Sequence, residues 1–323
     1  MTVPRAIVPL VFAVMFGAGP LSAHADTPSS TPRIGVLMPP VPLMEEGLRQ
    51  GLRELGYTEG NTIFIEWRRS TRTDSELQSF ATELAHSRLD LIVAVGSPPT
   101  RAALDASNVP VVFIAGDPIA AGFAASLAKP GGRATGISVV YTELVTKQMD
   151  LLRQLVPRAK RIGHLTNSSN PVATLGLEEA RNAARTLGVR LVTFDARDAV
   201  ELDAALHAIQ RSAVDAVLVS GELMLLANKT KIAQSLRKSK VPAMFPFKDY
   251  HEDGALMSYG PNLRETTRRV AVYVDKIIKG ASPSEIPIEQ VSKYDFVIDL
   301  RLARELGIEF PQSILVRADE VIR

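Results

Sequence analysis

The chain has 323 residues, of which 46% are hydrophobic and 22% charged, a composition typical of a globular protein. Its 37 basic and 35 acidic residues leave a formal charge of +2, which is too balanced for a protein that binds nucleic-acid phosphates. Cysteine is absent, which excludes thiol chemistry, disulfides, cysteine-based metal sites and a lipid-modified cysteine. The length exceeds what one hydrophobic core usually serves, so we expect two lobes.

Residues 1–25 have the pattern of a cleaved signal peptide. Arg5 precedes an apolar run that extends to about Ala18, and Ala23-His24-Ala25 supplies the small-residue pattern of a signal-peptidase site. A membrane anchor is the alternative, but the run is shorter than the roughly 20 residues that span a bilayer. We therefore predict an exported, periplasmic chain with a flexible leader at residues 26–32.

From Arg33 onward, short β-rich runs alternate with amphipathic helical runs. Strand Arg33–Met38 leads through a proline-rich loop to helix Met44–Leu55, in which Gly47 and Gly51 are expected to let the helix approach the sheet closely. Thr73 begins a capping box that opens the next helix. Further strands are predicted at Thr62–Trp67, Leu89–Val95 and Pro110–Ala115, and a helix is expected to follow each of them. Their nearly continuous apolar character is typical of strands buried on both faces of a parallel sheet.

A second series of the same kind follows a link near Gly136–Thr142. Its predicted elements, in chain order, are helix Thr142–Leu155, strand Arg161–Leu165, helix Pro171–Leu187, strand Arg190–Phe194, helix Ala199–Arg211, strand Ala213–Val219, helix Leu226–Ser239 and strand Val241–Phe245. The pattern predicts an α/β protein with two lobes built in succession.

The chain is predicted to return to the first lobe after the second series. The returning segment is predicted to contain strand Ala255–Ser258 and helix Asn262–Ile278. Lobe 1 would then comprise residues 33–138 and about 252–282, and lobe 2 residues 139–251 and about 283–323. For the final stretch, placement in either lobe or a bridging position stays open.

Polar side chains follow several predicted strands where these strands end. Ligands of parallel sheets bind outside the carboxyl ends of the strands, where helix N-termini offer N–H groups. The candidate ligand-binding residues at such ends are Pro40, Ser97, Pro98, Asp117, Asn167, Ser168 and Glu222. Helix capping is the alternative role for Ser97, Asp117-Pro118 and Asn170-Pro171, and a solvated position is the alternative for Glu222.

Two aromatic residues complete the candidate site. Phe247 and Tyr250, together with Tyr259, cluster beside polar turns, where they could form a stacking wall or part of the core. The sequence contains no G-x-S-x-G, H-E-x-x-H, Walker or G-x-G-x-x-G motif, and none of its five histidines has metal-ligand spacing to another. We therefore predict no catalytic residues, no metal and no cofactor.

Several long segments resemble a known family over essentially the whole predicted mature chain. They are GLRELGYTEGNTIFIEWR, VPVVFIAGDPIAAGFAASLAKPGGRATGIS, GALMSYGPN and LGIEFPQSILVRADEVI. The chain resembles the ABC-transporter substrate-binding proteins related to the tryptophan- and tyrosine-uptake binding proteins.

The resemblance implies a periplasmic-binding-protein type I fold, with two Rossmann-like lobes, parallel central sheets and a multi-segment hinge. It also implies that a captured solute is delivered to an ABC permease. Related amino-acid binders hold the ligand carboxylate in the region that corresponds to Ser97 and Asp117. The second lobe contributes from the region of Asn167–Asn170 and Glu222, and aromatic solutes would suit Phe247 and Tyr250.

The function predicted from the sequence is capture of a small organic solute, an amino acid or an aromatic or carboxylate-bearing compound, by hinge closure between two lobes. The protein would be a monomer that binds a small molecule and a permease, but no nucleic acid. The alternatives are a ligand-sensing module for a membrane receptor and an exported hydrolase.

Overall fold

The computed structural model describes residues 31–70, 74–139 and 141–323, and of residues 74, 141–142 and 171–172 the backbone alone. The predicted signal peptide, residues 26–30 of the leader and Thr73 of the predicted capping box lie outside the described residues. The described strands are β1 Arg33–Met38, β2 Phe64–Arg69, β3 Leu91–Val95, β4 Val111–Ala115, β5 Ala134–Ser138, β6 Arg161–Thr166, β7 Arg190–Asp195, β8 Ala216–Val219, β9 Ala243–Phe245, β10 Met257–Pro261, β11 Glu289–Gln290, β12 Tyr294–Asp299 and β13 Glu320–Ile322.

The helices alternate with these strands through most of the chain. They are α1 Pro42–Glu54, α2 Asp74–His86, α3 Ser97–Ala106, α4 Tyr141–Leu155, α5 Pro171–Thr186, α6 Ala199–Arg211, α7 Leu223–Ala227, α8 Lys229–Lys238, α9 Leu263–Ile278, α10 Leu300–Leu306 and α11 Gln312–Leu315. Two short 3-10 helices lie at Lys248–Asp253 and Pro283–Glu285.

The strands form two separate sheets. The first has the order β11-β5-β4-β3-β1-β2, and all of its neighbouring strands are parallel. Every residue of β3 and β4 is buried, because helices cover both faces of this sheet. The second has the order β13-β12-β10-β9-β8-β6-β7, in which only the pair β10 and β12 is antiparallel. The prediction of an α/β protein with two mostly parallel sheets is confirmed.

Helices α1 and α9 pack face to face over the first sheet. A Cβ on Gly47 would lie 2.3 Å from the carbonyl oxygen of Arg264, and a Cβ on Gly51 would lie 2.1 Å from that of Arg268. The two glycines therefore allow α1 to approach α9, which corrects the expectation that they allow an approach to the sheet. Because the helix after β10 packs here, the chain has returned to the first lobe at α9.

The strand before that helix was placed wrongly from the sequence. We expected Ala255–Ser258 in the first lobe, but β10 pairs with β9 and β12 in the second sheet. The tail also divides between the sheets, because β11 pairs with β5 in the first, whereas β12 and β13 belong to the second. Over the residues that the structure describes, the chain thus crosses between the sheets three times, from β5 to α4, from β10 to α9 and from β11 to β12.

Two helices also differ from the sequence prediction. No helix follows β4, because the chain after Asp117 makes turns through residues 118–122 instead. The helix predicted at Leu226–Ser239 is divided into α7 and α8, which meet at Asn228. Both differences lie at carboxyl ends of strands, where the loops determine the shape of the space between the lobes.

Candidate functional site

The carboxyl ends of strands from both sheets face one cavity of about 1080 Å3, a volume that includes open solvent at its mouth. The first lobe contributes the loops after β1, β3 and β4, and the second lobe the loops after β6, β7 and β8. The crossing from β10 to α9 adds Pro261, Leu263 and Thr266. The site therefore lies between the lobes, where the strand-end rule for parallel sheets predicts it.

Most of the cavity wall is apolar. Its apolar side chains include Met44, Leu77, Val95, Ile114, Leu223, Met224 and Phe247. A mostly apolar cavity with a small number of polar groups suits a small organic ligand whose orientation those polar groups determine.

The first-lobe wall is built around the loop from β3 to α3. Ser97 is buried, and its hydroxyl oxygen accepts a hydrogen bond from the Gly116 N–H at 3.3 Å. The Gly116 carbonyl in turn accepts from the Ser138 hydroxyl at 2.9 Å, which ties the loops after β4 and β5 together. Pro98 lines the cavity beside Ser97. Because Pro98 and Pro99 have no N–H, the N-terminus of α3 offers fewer donors than we expected.

The second-lobe wall carries the amide of Asn167 and the carboxyl of Glu222. Asn167 is buried, and its side-chain oxygen accepts hydrogen bonds from the Ser169 N–H at 3.0 Å and the Ser169 hydroxyl at 2.6 Å. These bonds hold the amide group at the cavity wall.

Glu222 is an acidic side chain buried in the cavity wall, with an exposed fraction of 7%. The Thr166 hydroxyl donates to Oε1 at 3.4 Å, but Oε2 has no hydrogen-bond partner among the described residues. Burial raises the pKa of Glu222 to about 7, although hydrogen bonds from neighbouring backbone amides and from the Thr166 and Ser220 hydroxyls oppose the rise. A ligand that donates a hydrogen bond to Oε2 would be held at this point.

The three aromatic residues do not form one stacking wall. Phe247 lines the cavity, whereas Tyr250 is fully buried behind it and packs on Phe245 with ring centroids 4.8 Å apart. Tyr259 packs against Tyr294 instead, at 5.6 Å. One ring, that of Phe247, is therefore available to a ligand from this cluster.

Three other predicted residues also lie outside the cavity wall. Pro40 is exposed, and its neighbour Pro39 lines the cavity in its place. Asp117 is exposed, and its Oδ1 accepts the N–H groups of Ile119 and Ala120, both at 3.0 Å. The exposed Ser168 donates its hydroxyl hydrogen to Asp195 at 2.5 Å. Of the nine predicted residues, the cavity thus brings together Ser97, Pro98, Asn167, Glu222 and Phe247.

Arg197 is a cavity residue that the sequence reasoning missed. It lies in the loop after β7 and pairs with Glu201, which accepts from the Arg197 Nε at 3.0 Å and 2.9 Å. The same rule that singled out the other strand ends could have found it, because it also follows a strand at its carboxyl end. The apolar cavity residues on α1, α2 and α9 could not be identified from the sequence, because the same types of apolar side chain occur in a cavity wall and in a core.

The two lobes contact each other at the edge of the cavity. Gly96, before α3 in the first lobe, lies against Leu223, the first residue of α7 in the second lobe. A Cβ on Gly96 would be 2.7 Å from the Leu223 Cδ1. The cavity is thus closed at this point by direct contact between the lobes.

The described part of the chain holds no group of three or more histidine or acidic side chains that could bind a metal ion. None of the helices within residues 31–70, 74–139 and 141–323 is long and apolar enough to cross a membrane.

Comparison with known proteins gives the family. A family profile for ABC transporter substrate binding proteins matches residues 36–322. The chain is 23% identical over 267 residues to the tyrosine-binding protein of Clostridioides difficile (strain R20291). This match covers 82% of this chain and 76% of that protein.

Two solved structures share the fold over nearly the whole described chain. The ABC domain from Streptococcus pneumonia in complex with L-Trp has a TM-score of 0.84 and 28% identity, and the match covers 91% of this chain and 100% of that one. A conserved domain protein from Vibrio cholerae has a TM-score of 0.85 and 24% identity, covering 90% and 100%. Because the family profile spans both lobes, the chain belongs to the ABC transporter substrate-binding proteins, a family of binding proteins.

Proposed function

We propose that this protein captures an aromatic amino acid in the periplasm and presents it to an ABC permease for import. The observation that carries the proposal is the apolar cavity between the lobes, with one buried carboxyl whose Oε2 has no partner among the described residues. Two relatives support the ligand class, because one is named a tyrosine-binding protein and another was solved with L-Trp.

The apolar wall accounts for the aromatic part of such a ligand. An indole or phenol ring would contact Met44, Leu77, Met224 and the ring of Phe247, all of which line the cavity. Aromatic rings pack well against one another at centroid separations of about 4.5–7 Å, and methionine adapts its shape to a ring.

The polar groups account for the charged part of the ligand. The ammonium group would donate to Oε2 of Glu222, which removes an unsatisfied buried acceptor and compensates its charge. The Ser97 oxygen already accepts from Gly116, so the Ser97 hydroxyl can donate to the ligand carboxylate. In this arrangement Glu222 and Ser97 hold opposite ends of the amino-acid group from different lobes.

Closure of the lobes follows from this division of contacts. A ligand that contacts both lobes stabilises the closed arrangement, because an open cleft would separate Ser97 from Glu222. The three crossings between the sheets are the segments about which the lobes would turn. A permease that binds only the closed arrangement would then select the ligand-loaded protein and import the ligand that it releases.

A thermal-shift panel of L-tryptophan, L-tyrosine, L-leucine and D-glucose tests the ligand class. A ligand that binds only the folded state raises the melting temperature, so we expect a rise with the two aromatic amino acids. Small-angle scattering with the best ligand should show a smaller radius of gyration. The proposal fails if neither aromatic amino acid raises the melting temperature, or if the bound ligand is recovered chemically altered.

A further inference from the structure

The buried carboxyl of Glu222 has no cationic partner among the described residues. Within the described part of the chain its Oε2 has no hydrogen-bond partner, and its Oε1 receives a long hydrogen bond of 3.4 Å from Thr166. An ionised carboxylate that is buried without a compensating charge is costly, so the protonated form is favoured in the absence of ligand.

The side chains around Glu222 do not supply the positive charge that would stabilise its ionised form. Tyr250 lies behind the site, its hydroxyl has no hydrogen-bond partner among the described residues, and burial raises its pKa, so it supplies no positive charge either. Ser220 contacts His164, whose Nε2 lies 2.7 Å from the Ser220 Oγ and whose pKa is lowered to about 4 by burial. His164 is therefore uncharged near neutral pH and supplies no positive charge.

Among the described side chains that line the cavity, the one positive charge belongs to Arg197. Its guanidinium is paired with both oxygens of Glu201 on the exposed first turn of α6. This pairing raises the pKa of Arg197 and lowers the pKa of Glu201 to about 2, so Arg197 is already compensated. The charges of Arg197 and Glu201 thus remain fixed between pH 5 and pH 8, whereas burial raises the pKa of Glu222 to about 7.

We propose that ligand capture is proton-linked: the ammonium group of the ligand takes the place of one proton on Glu222. The O–H bond of the carboxyl breaks, its proton leaves to solvent, and an N–H of the ammonium donates a hydrogen bond to the resulting carboxylate. The inference rests on the proposed function, because it requires an amine ligand in this cavity.

The linkage makes affinity depend on pH in one direction. Below about pH 7 the ligand must displace a proton, so its affinity falls by up to tenfold for each unit of pH. Well above that pH the carboxyl is already ionised, so affinity levels off for as long as the amine of the ligand stays protonated. An analogue without the amine gains nothing from ionisation, so its binding releases no proton.

Isothermal titration calorimetry counts the protons directly. L-tryptophan is titrated into the protein at about pH 6 and about pH 8, each in two buffers of different ionisation enthalpy. We expect release of nearly one proton per ligand at the lower pH and of almost none at the higher pH. Indole-3-propionate, which keeps the ring and carboxylate but lacks the amine, serves as the comparison probe and should release no proton.

Two variants identify the group that loses the proton. Glu222→Gln keeps the shape of the side chain without a titrating proton, so its binding should be weaker, independent of pH and free of proton release. Asp249→Asn is the matched control, because burial also raises the pKa of Asp249 but this residue does not line the cavity. It should release protons as the wild type does.

The outcomes separate the two proposals. Binding of L-tryptophan with no proton release at about pH 6 overturns the linkage and leaves the proposed function intact. Proton release that persists in Glu222→Gln or disappears in Asp249→Asn also overturns it. If neither L-tryptophan nor L-tyrosine binds at either pH, the proposed ligand class fails and the linkage fails with it.

Discussion

Gly96 and Leu223 contact each other across the cleft, and a Cβ on the glycine would fit only if the end of the Leu223 side chain moved away. A Cβ at Gly96 would lie 2.7 Å from the Leu223 Cδ1. The backbone of Gly96 has φ of 106° and ψ of 154°, a conformation that residues with a Cβ almost never adopt. Glycine is therefore favoured at this position for two reasons: its own backbone conformation, and the contact with Leu223 of the other lobe.

Gly96→Ala should lower both stability and ligand affinity. The backbone strain affects the first lobe whether the cleft is open or closed, and such strain costs about 1–3 kcal/mol. The overlap with Leu223 arises only when the lobes are in contact, so it should weaken binding as well. The melting temperature measures the first effect, and the dissociation constant for L-tryptophan measures the second.

A double-mutant cycle with Leu223→Ala separates these contributions. The shorter side chain removes the overlap but not the backbone strain. We expect Gly96→Ala to cost less affinity in the Leu223→Ala background than in the wild type, while the melting temperature of the double variant stays low. Equal affinity losses in both backgrounds would mean that the two residues do not meet in the ligand-bound protein.

Glu222→Gln should stabilise the protein without ligand, and more so at high pH. The pKa of the carboxyl is 4.5 as a reference and about 7 in the folded protein, so the folded state binds more protons between these values. The contribution of Glu222 to wild-type stability therefore falls as the pH rises from about 4.5 to 7, by about 3 kcal/mol in total. Glutamine removes this cost.

Urea unfolding of both proteins at several pH values measures the difference. The stabilisation by Glu222→Gln should be small near pH 4.5 and largest near pH 8. Parallel stability curves across this range would show that the pKa of Glu222 is the same in the folded and unfolded protein. Its carboxylate would then be stabilised in the folded protein by a hydrogen-bond partner for Oε2, such as water.

A helix or strand could be predicted from the sequence where the apolar pattern within its own segment is sufficient to identify it. The apolar runs LIVAV and VVFIA predicted buried parallel strands, and they form β3 and β4. Strand β10 was assigned to the wrong lobe, because its apolar residues would suit either sheet. Its partners β9 and β12 are determined by contacts distant in sequence, which local pattern does not contain.

The candidate site was predictable only in its location. The strand-end rule led to Ser97, Asn167 and Glu222, which do line the cavity. It could not distinguish a side chain that faces the cavity from one that caps a turn, because both kinds of residue follow strands. Tyr250 shows the same limit, since an aromatic residue near the crossing can belong to the core as well as to the wall.

Replacement of Gly51 should reduce stability with little effect on the ligand. A Cβ there would be 2.1 Å from the Arg268 carbonyl oxygen and 2.8 Å from the Ala271 Cβ, so α1 and α9 would have to separate. Alanine favours a helix over glycine by about 1 kcal/mol, but an overlap with backbone atoms outweighs that gain. We expect Gly51→Ala to lose about 1–3 kcal/mol in chemical unfolding.

Gly132→Ala is the matched control for that measurement. A Cβ on Gly132 would have no described atom within 4 Å, so its stability should be close to that of the wild type. Since Gly51 does not line the cavity, L-tryptophan affinity should be similar in all three proteins. A Gly51→Ala protein as stable as Gly132→Ala would show that α1 and α9 can move apart at little cost.

Asp117→Ala should weaken the fold rather than ligand binding. The carboxylate is exposed, and its Oδ1 accepts two N–H groups of its own turn, from Ile119 and Ala120. Loss of such a cap costs about 1 kcal/mol, which should appear as a lower melting temperature. Ser97→Ala is the contrasting variant, because Ser97 lines the cavity and its loss should reduce L-tryptophan affinity.

Asp117→Asn distinguishes a cap from a charge that acts on the ligand. Asparagine keeps the side-chain oxygen that accepts the two N–H groups, so it should retain most of the stability that alanine loses. If Asp117 instead attracted the ammonium group of the ligand, both variants would lose affinity equally while their melting temperatures differed. Since the carboxylate lies outside the cavity wall, we expect the dissociation constants of wild type, Asp117→Ala and Asp117→Asn to agree within about twofold.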